Sequence, residues 1–182
     1  MDAKAIYEQA RQHWVNGEFE KGAVAATAVL ERLPGNVDAL YLRGICRKAS
    51  QDFDDAFADF DAVLQAAPAY YEAYFGRGSI HYMNLRWREA IEDFGNFLAE
   101  HPQSLESLML RGLAHHRLGE LQATLNDINK AIELEPENGV LYIRRWQVFN
   151  DLGQQELAKQ DFDRGTYLME KKKPREHRGG AG

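Results

Sequence analysis

Arginine and aspartate recur as couples sixteen residues apart: Arg43 with Asp59, Arg77 with Asp93, Arg111 with Asp127 and Arg145 with Asp161. Such a ladder could grip an acidic ligand, or each couple could be an ion pair holding two helices together. One period earlier both partners are missing together, as Gln9 and Ala25. Joint loss favours mutual pairing, since a partly buried arginine needs a paired carboxylate. His13, His81 and His115 also share one register. Helices that pack side by side lie roughly 8–10 Å apart, too far for two such histidines to share a zinc at Zn–N near 2.0–2.1 Å. No carboxylate or cysteine completes a ligand set, so no metal and no cofactor is expected. The chain lacks G-x-S-x-G, H-E-x-x-H and a phosphate-cradling glycine loop, which argues against an enzyme. A single cysteine, Cys46, rules out an internal disulfide.

Charge narrows the partners. The 182 residues carry a net −6, yet KKKPREHRGGAG at positions 171–182 holds five Lys or Arg against one Glu, or +4. The remainder is therefore −10, and a body this acidic repels a phosphate backbone, so nucleic acid is not an expected partner. The 171–182 segment reads as a basic, disordered tail. The N-terminal MDAKAIYEQARQHW has no apolar core of signal-peptide type, and no apolar run reaches the roughly 20 residues of a membrane span. The cytoplasm is the expected compartment.

The elements that position these residues repeat. Pro34, Pro68, Pro102 and Pro136 follow one another at intervals of 34, and each closes an amphipathic run such as AFADFDAVLQAAP. Proline cannot continue a helix and disfavours helix in the residue before it. Windows 3–36, 37–70, 71–104, 105–138 and 139–172 align without a gap, each predicting helix, short turn, helix. The turns fall at Asn16-Gly17, Gln51-Asp52, Gly119-Glu120 and Gly153-Gln154. Small residues mark two recurring crossing points: Ala10, Gly44, Gly78 and Gly112, then Gly22, Ala56, Ala90 and Ala158. Four places after the second set stands a large side chain (Phe60, Phe94, Ile128, Phe162) that would plug the gap between neighbours. The expected fold is all-α.

The period, the small–small crossing, the plug and the terminal proline together resemble the tetratricopeptide repeat over residues 3–170. That resemblance implies a right-handed α-solenoid of about ten antiparallel helices in five helix-turn-helix repeats. RNA-reading pentatricopeptide repeats are similar, but their longer period and basic character do not match. The fifth window departs by placing Trp146 at a small position, which predicts a splayed helix pair. It also has Lys159 and Thr166 at places that are apolar in other windows, as a water-facing terminal helix requires.

In the family, the first helix of each repeat lines a concave groove that holds the ligand. The places carried over are Tyr7, Tyr41, Leu42, Ile45, Phe75, Tyr82, Met83, Met109, Leu110, Leu113 and Ile143. Lys4, Arg11, Lys48, Arg117 and Arg144 supply positive charge among them, and Gly76 and Ser79 make a small floor that would admit a partner's bulky side chain. The carboxylate clamp of some co-chaperone members is absent, because Tyr7, Arg11 and Leu42 occupy its places. The resemblance thus implies a scaffold or adaptor for a protein partner that presents apolar side chains. Five first helices at about 10 Å per step give a path of about 40 Å, enough for about 12 extended residues or a helix of about 25. A chaperone for apolar clients and a homo-oligomeric module joined through an end or a groove are the alternatives.

Overall fold

The computed structural model describes residues 2–171: Lys171, the first residue of the expected tail 171–182, is the last residue of a helix, and the rest of that tail lies outside the described residues. Among the described residues there are ten helices and no strand. They divide into two compact units, Met1–Pro102 and Gln103–Gly182.

The first unit holds three helix pairs: α1 (Ala3–Val15) with α2 (Phe19–Leu30), α3 (Val37–Ala49) with α4 (Phe53–Ala66), and α5 (Tyr71–Met83) with α6 (Trp87–Glu100). Side chains start two of the first helices. Asp2 Oδ1 accepts from the Ala5 N–H at 2.7 Å, and Asn36 Oδ1 from the Ala39 N–H at 2.8 Å, satisfying donors that a helix start leaves open. The small residues let backbones approach. A Cβ added at Gly78 would come to 2.9 Å from Asp93 Cβ, and one at Gly22 to 2.7 Å from Cys46 Sγ. Cys46 is fully buried, and burial pushes its thiol pKa up to about 11.

Successive pairs share a core. Phe60, Val63 and Leu64 of α4 pack with Ala73 and Ile80 of α5, and α2 presents Val29 and Leu30 to Ala39. The plug at Phe60 has a consequence for Gly76. A Cβ there would lie 2.6 Å from the Phe60 ring, so the space beside Gly76 is filled by the protein's own side chain and is not open to a partner. Leu42, only 4% exposed, likewise joins Ala10, Ala26 and Cys46 in the core and does not face a groove.

The second unit holds α7 (Leu105–Arg117) with α8 (Leu121–Leu134), and α9 (Gly139–Asp151) with α10 (Gln155–Lys171). Leu125 and Ile128 of α8 pack on Val148 of α9. Trp146 does not hold the last pair apart along its length. Its ring meets Phe162 at 5.3 Å between centroids, while the other end of the pair closes through two glycines. A Cβ on Gly139 would stand 2.5 Å from the Gly165 carbonyl oxygen. Phe162 itself is 43% exposed, unlike Phe60 and Ile128, because no further helix pair among the described residues receives it. Nor is α10 a purely polar cap: Leu157, Tyr167 and Met169 are exposed beside Phe162, although Lys159 faces water as expected.

Candidate binding face

The Arg–Asp couples are bidentate ion pairs. In the first unit Arg43 Nη2 lies 2.6 Å from Asp59 Oδ1, and Arg77 Nη2 2.8 Å from Asp93 Oδ1. In the second, Arg111 Nη2 lies 2.6 Å from Asp127 Oδ1, and Arg145 Nε 2.7 Å from Asp161 Oδ2. All four aspartates are at most 5% exposed, so each arginine is committed to neutralising a buried carboxylate. The hydrogen bonds to Asp93 and Asp161 raise the pKa of Arg77 and Arg145.

Each of three arginines also reaches back to the preceding helix pair. Arg77 Nη1 donates to Asp61 Oδ1 at 2.8 Å, Arg145 Nη1 to Asn129 Oδ1 at 2.7 Å, and Arg43 Nη1 to Thr27 Oγ1 at 3.5 Å. Sequence reasoning missed this second bond. Its signal was a polar residue sixteen places before each of these arginines.

The histidines are spoken for locally. His13 Nδ1 and His115 Nδ1 each lie 2.6 Å from a carboxylate of the following turn, Glu18 and Glu120. His81 is buried with its ring 5.1 Å from Phe57, and burial lowers its pKa against the opposing pull of Asp93. Among the described residues no three His, Cys, Asp or Glu side chains group as a metal would require.

The remaining candidates fall on the first helices. In the first unit α3 lies between α1 and α5. Tyr7, Tyr41, Ile45, Lys48, Phe75, Ser79 and Tyr82 are all half-buried, and Arg11 and Met83 are exposed. Their rings are fixed from behind. Tyr41 packs on Tyr70 at 4.9 Å and Phe60 at 6.0 Å, Phe75 on Phe97 at 5.2 Å, and Tyr82 on Trp87 at 5.0 Å. Lys48 Nζ stands 5.4 Å from the centre of the Phe75 ring, where the ring quadrupole attracts a cation. Burial pushes the Tyr41 hydroxyl up to about 12, so it is a neutral donor at ordinary pH. The Ser79 hydroxyl is turned inward, donating to the Phe75 carbonyl at 2.7 Å.

In the second unit Met109, Leu113 and Arg144 surround a small cavity of about 10 Å³ with Gly112, His116 and Val148. Arg144 Nε is buried without a protein partner. Ile143 instead turns toward α10: a Cβ on Gly165 would meet its Cδ1 at 2.8 Å. It belongs to the helix-pair interface because Gly165 leaves room for it.

Periodic helix pairs, glycine crossings and an inter-pair plug define a repeat, and a family model of the tetratricopeptide repeat matches residues 7–69, 47–87 and 84–138. The chain belongs to the tetratricopeptide repeat family. Solved structures of MamA are similar to this tetratricopeptide-repeat chain. MamA 41-end from Desulfovibrio magneticus RS-1 is 19% identical, with 94% of this chain and 97% of that chain covered and a TM-score of 0.86. A MamA RS-1 double mutant is 20% identical over 93% of this chain and 95% of that one, also at 0.86. Another crystal structure of MamA is 21% identical over 90% and 95%, at 0.82. At such identities the likeness shows the fold alone. No curated protein matches the sequence. As a tetratricopeptide-repeat array the chain is a scaffold of the protein-interaction type. Among the described residues, no helix is long and apolar enough to cross a membrane.

Proposed function

We propose that the face formed by α1, α3 and α5 binds a short segment of a partner protein. One observation carries this reading. Tyr41, Ile45, Phe75 and Tyr82 stay half-buried although each is braced by residues behind it, and the basic side chains Arg11 and Lys48 stand on the same helices. Braced aromatic surface beside Arg and Lys suits a partner presenting apolar side chains flanked by acidic ones. Pre-fixed rings lose little side-chain entropy on binding.

Two steps of about 10 Å between the three first helices give a track of about 20 Å. That length takes an extended segment of about six residues. Carboxylates stand among these tyrosines and bases, with Glu8 3.2 Å from Arg11 and Asp38 accepting from the Tyr70 hydroxyl, and we read the protein as a binder and not a catalyst. The second unit offers a smaller face of the same kind at Met109, Leu113 and Arg144.

Selection of peptides from a displayed random library tests this. The wild type should enrich apolar–acidic segments, and an Ile45→Asp/Tyr82→Ser variant of unchanged helicity should enrich none. Recovery of the same peptides by both proteins would remove the face from consideration.

A further inference from the structure

Four of the turns inside the helix pairs are acidic or neutral at two fixed places, and one is not. The first place holds Glu18, Asp52, Glu120 and Gln154, and the second holds Glu20, Asp54, Gln122 and Glu156. In the turn between α5 and α6 both places are arginine, Arg86 and Arg88. Both are exposed, and among the described residues neither pairs with a carboxylate. The same turn presents apolar side chains to water, Met83 at 46% exposure and Leu85 at 67%.

This reversal costs the fold at two points. Where the first place is glutamate, it holds a histidine: His13 Nδ1 lies 2.6 Å from Glu18, and His115 Nδ1 2.6 Å from Glu120. His81 stands in the same register, but Arg86 takes the place of the carboxylate. Among the described residues His81 Nδ1 is buried with no hydrogen-bond partner, and a buried ring nitrogen left unpaired is destabilising. Leu85 adds the strain of a left-handed backbone, at φ 60°, where three of the other turns have glycine. Packing of Arg86 or Leu85 does not offset either cost, since both side chains are exposed. Local rules broken together in one exposed turn mark a place kept for recognition.

We infer that the turn Met83–Arg88 seats the acidic end of the partner's segment: Arg86 and Arg88 take its carboxylates, and Met83 and Leu85 take an apolar side chain beside them. The inference rests on the peptide-binding face proposed above, which the turn continues. Trp87 holds Tyr82 of that face edge-on, at 5.0 Å between ring centroids. The bound segment thereby gains a direction, with its acidic end at α5. Basic groups nearer the middle of the face are less available, because Arg11 lies 3.2 Å from Glu8 and Lys48 stands over the Phe75 ring. A short acidic segment also suits the turn better than an anionic bilayer does. The chain's net −6, with +4 at positions 171–182, leaves −10 on residues 1–170. A broad anionic surface would meet that repulsion, whereas a segment of a few residues touches the turn alone.

Peptide selection by the full chain and by a charge-swapped variant tests the inference. Arg86→Glu/Arg88→Glu gives the turn the charges of Glu18 and Glu20 and returns to His81 the kind of partner that His13 has, so its melting temperature should not fall below wild type. The wild type should enrich apolar segments with acidic residues at one end. The variant should still enrich apolar segments, without the acidic end. A peptide selected by the wild type should bind the variant about tenfold or more weakly, read by fluorescence anisotropy. Lys130→Glu/Lys159→Glu makes the same change in net charge at exposed places of the second unit and should weaken binding by less than about threefold. Three outcomes would overturn the inference and leave the face standing: no acidic preference in the wild type, an acidic end retained by the variant, or equal weakening by both charge swaps. A wild type that enriches no peptide removes the turn and the face together. Binding to phosphatidylserine vesicles that depends on Arg86 and Arg88, with no acidic preference among peptides, would assign the turn to a membrane surface and overturn the inference as well.

Discussion

The guanidinium of Arg77 serves carboxylates on two helices: Asp93 of its own pair, at 2.8 Å, and Asp61 of the pair before, also at 2.8 Å. Burial makes the partners unequal. Asp93 is 3% exposed at its side chain and Arg77 21%, so an unpaired Asp93 would stay out of water whereas an unpaired Arg77 would keep Asp61 and some solvent. Arg77→Met should therefore cost about 2–3 kcal/mol, since it strands a buried charge. Asp93→Asn, which keeps a hydrogen-bonding group in place, should cost only about 1 kcal/mol. Urea denaturation of both variants gives the comparison. Equal costs would mean that the buried carboxylate is not what the arginine is there to neutralise. The ladder of arginines is thus accounted for within the fold, and the cations left for recognition are fewer than a count of basic residues suggests.

At the scale of elements, the turn inside each helix pair repeats as strictly as the prolines do. Residues 17, 51, 85, 119 and 153 all adopt the left-handed backbone conformation, and glycine occupies three of the five places. Gln51 and Leu85 do not escape its steric penalty, and Leu85, at φ 60°, is 67% exposed and so gains little packing in return. Leu85→Gly should raise stability by about 1 kcal/mol. A urea midpoint that stays put or falls would show that the exposed leucine contributes contacts not evident from its accessibility. The example also marks where sequence reasoning stops. Four turns were legible because glycine or a polar residue stood in them, but Leu85 carries no turn signal, and the geometry of the flanking helices imposes its conformation. The helices themselves, their small crossing residues and the ion pairs were legible from spacing, because a fixed period repeats the same contacts. Side-chain environment was not. Leu42 and Ile143 lie on the edge of the same helical stripe as Tyr41 and Phe75, and only packing decides which edge is swallowed. Gly76 looked like open floor because the ring that fills it comes from a residue sixteen places away.

For the whole molecule, a repeat array is held together by neighbour-to-neighbour contacts, and a stack needs about three repeats before those contacts outweigh the entropy of ordering them. The two compact units differ in this respect. Met1–Pro102 contains three helix pairs, and its deepest side chains include Phe60, Phe94, Ile80, Val29 and Val63. Gln103–Gly182 contains two pairs. Its deepest side chains include no aromatic, with Leu108, Leu141, Leu168 and Val148 accompanied by the polar Thr124 and Ser107, and α10 leaves Leu157, Phe162 and Tyr167 in water. A chain of residues 1–102 should therefore fold alone and melt in one sharp transition. Residues 103–182 alone should show partial helicity and a broad, low-temperature transition. Thermal melts of the two fragments, followed by circular dichroism, make the comparison. If the shorter fragment melted as sharply and as late as the longer one, two pairs would suffice here, and the close approach of the last pair through Gly139 and Gly165 would be what makes up for the missing third pair.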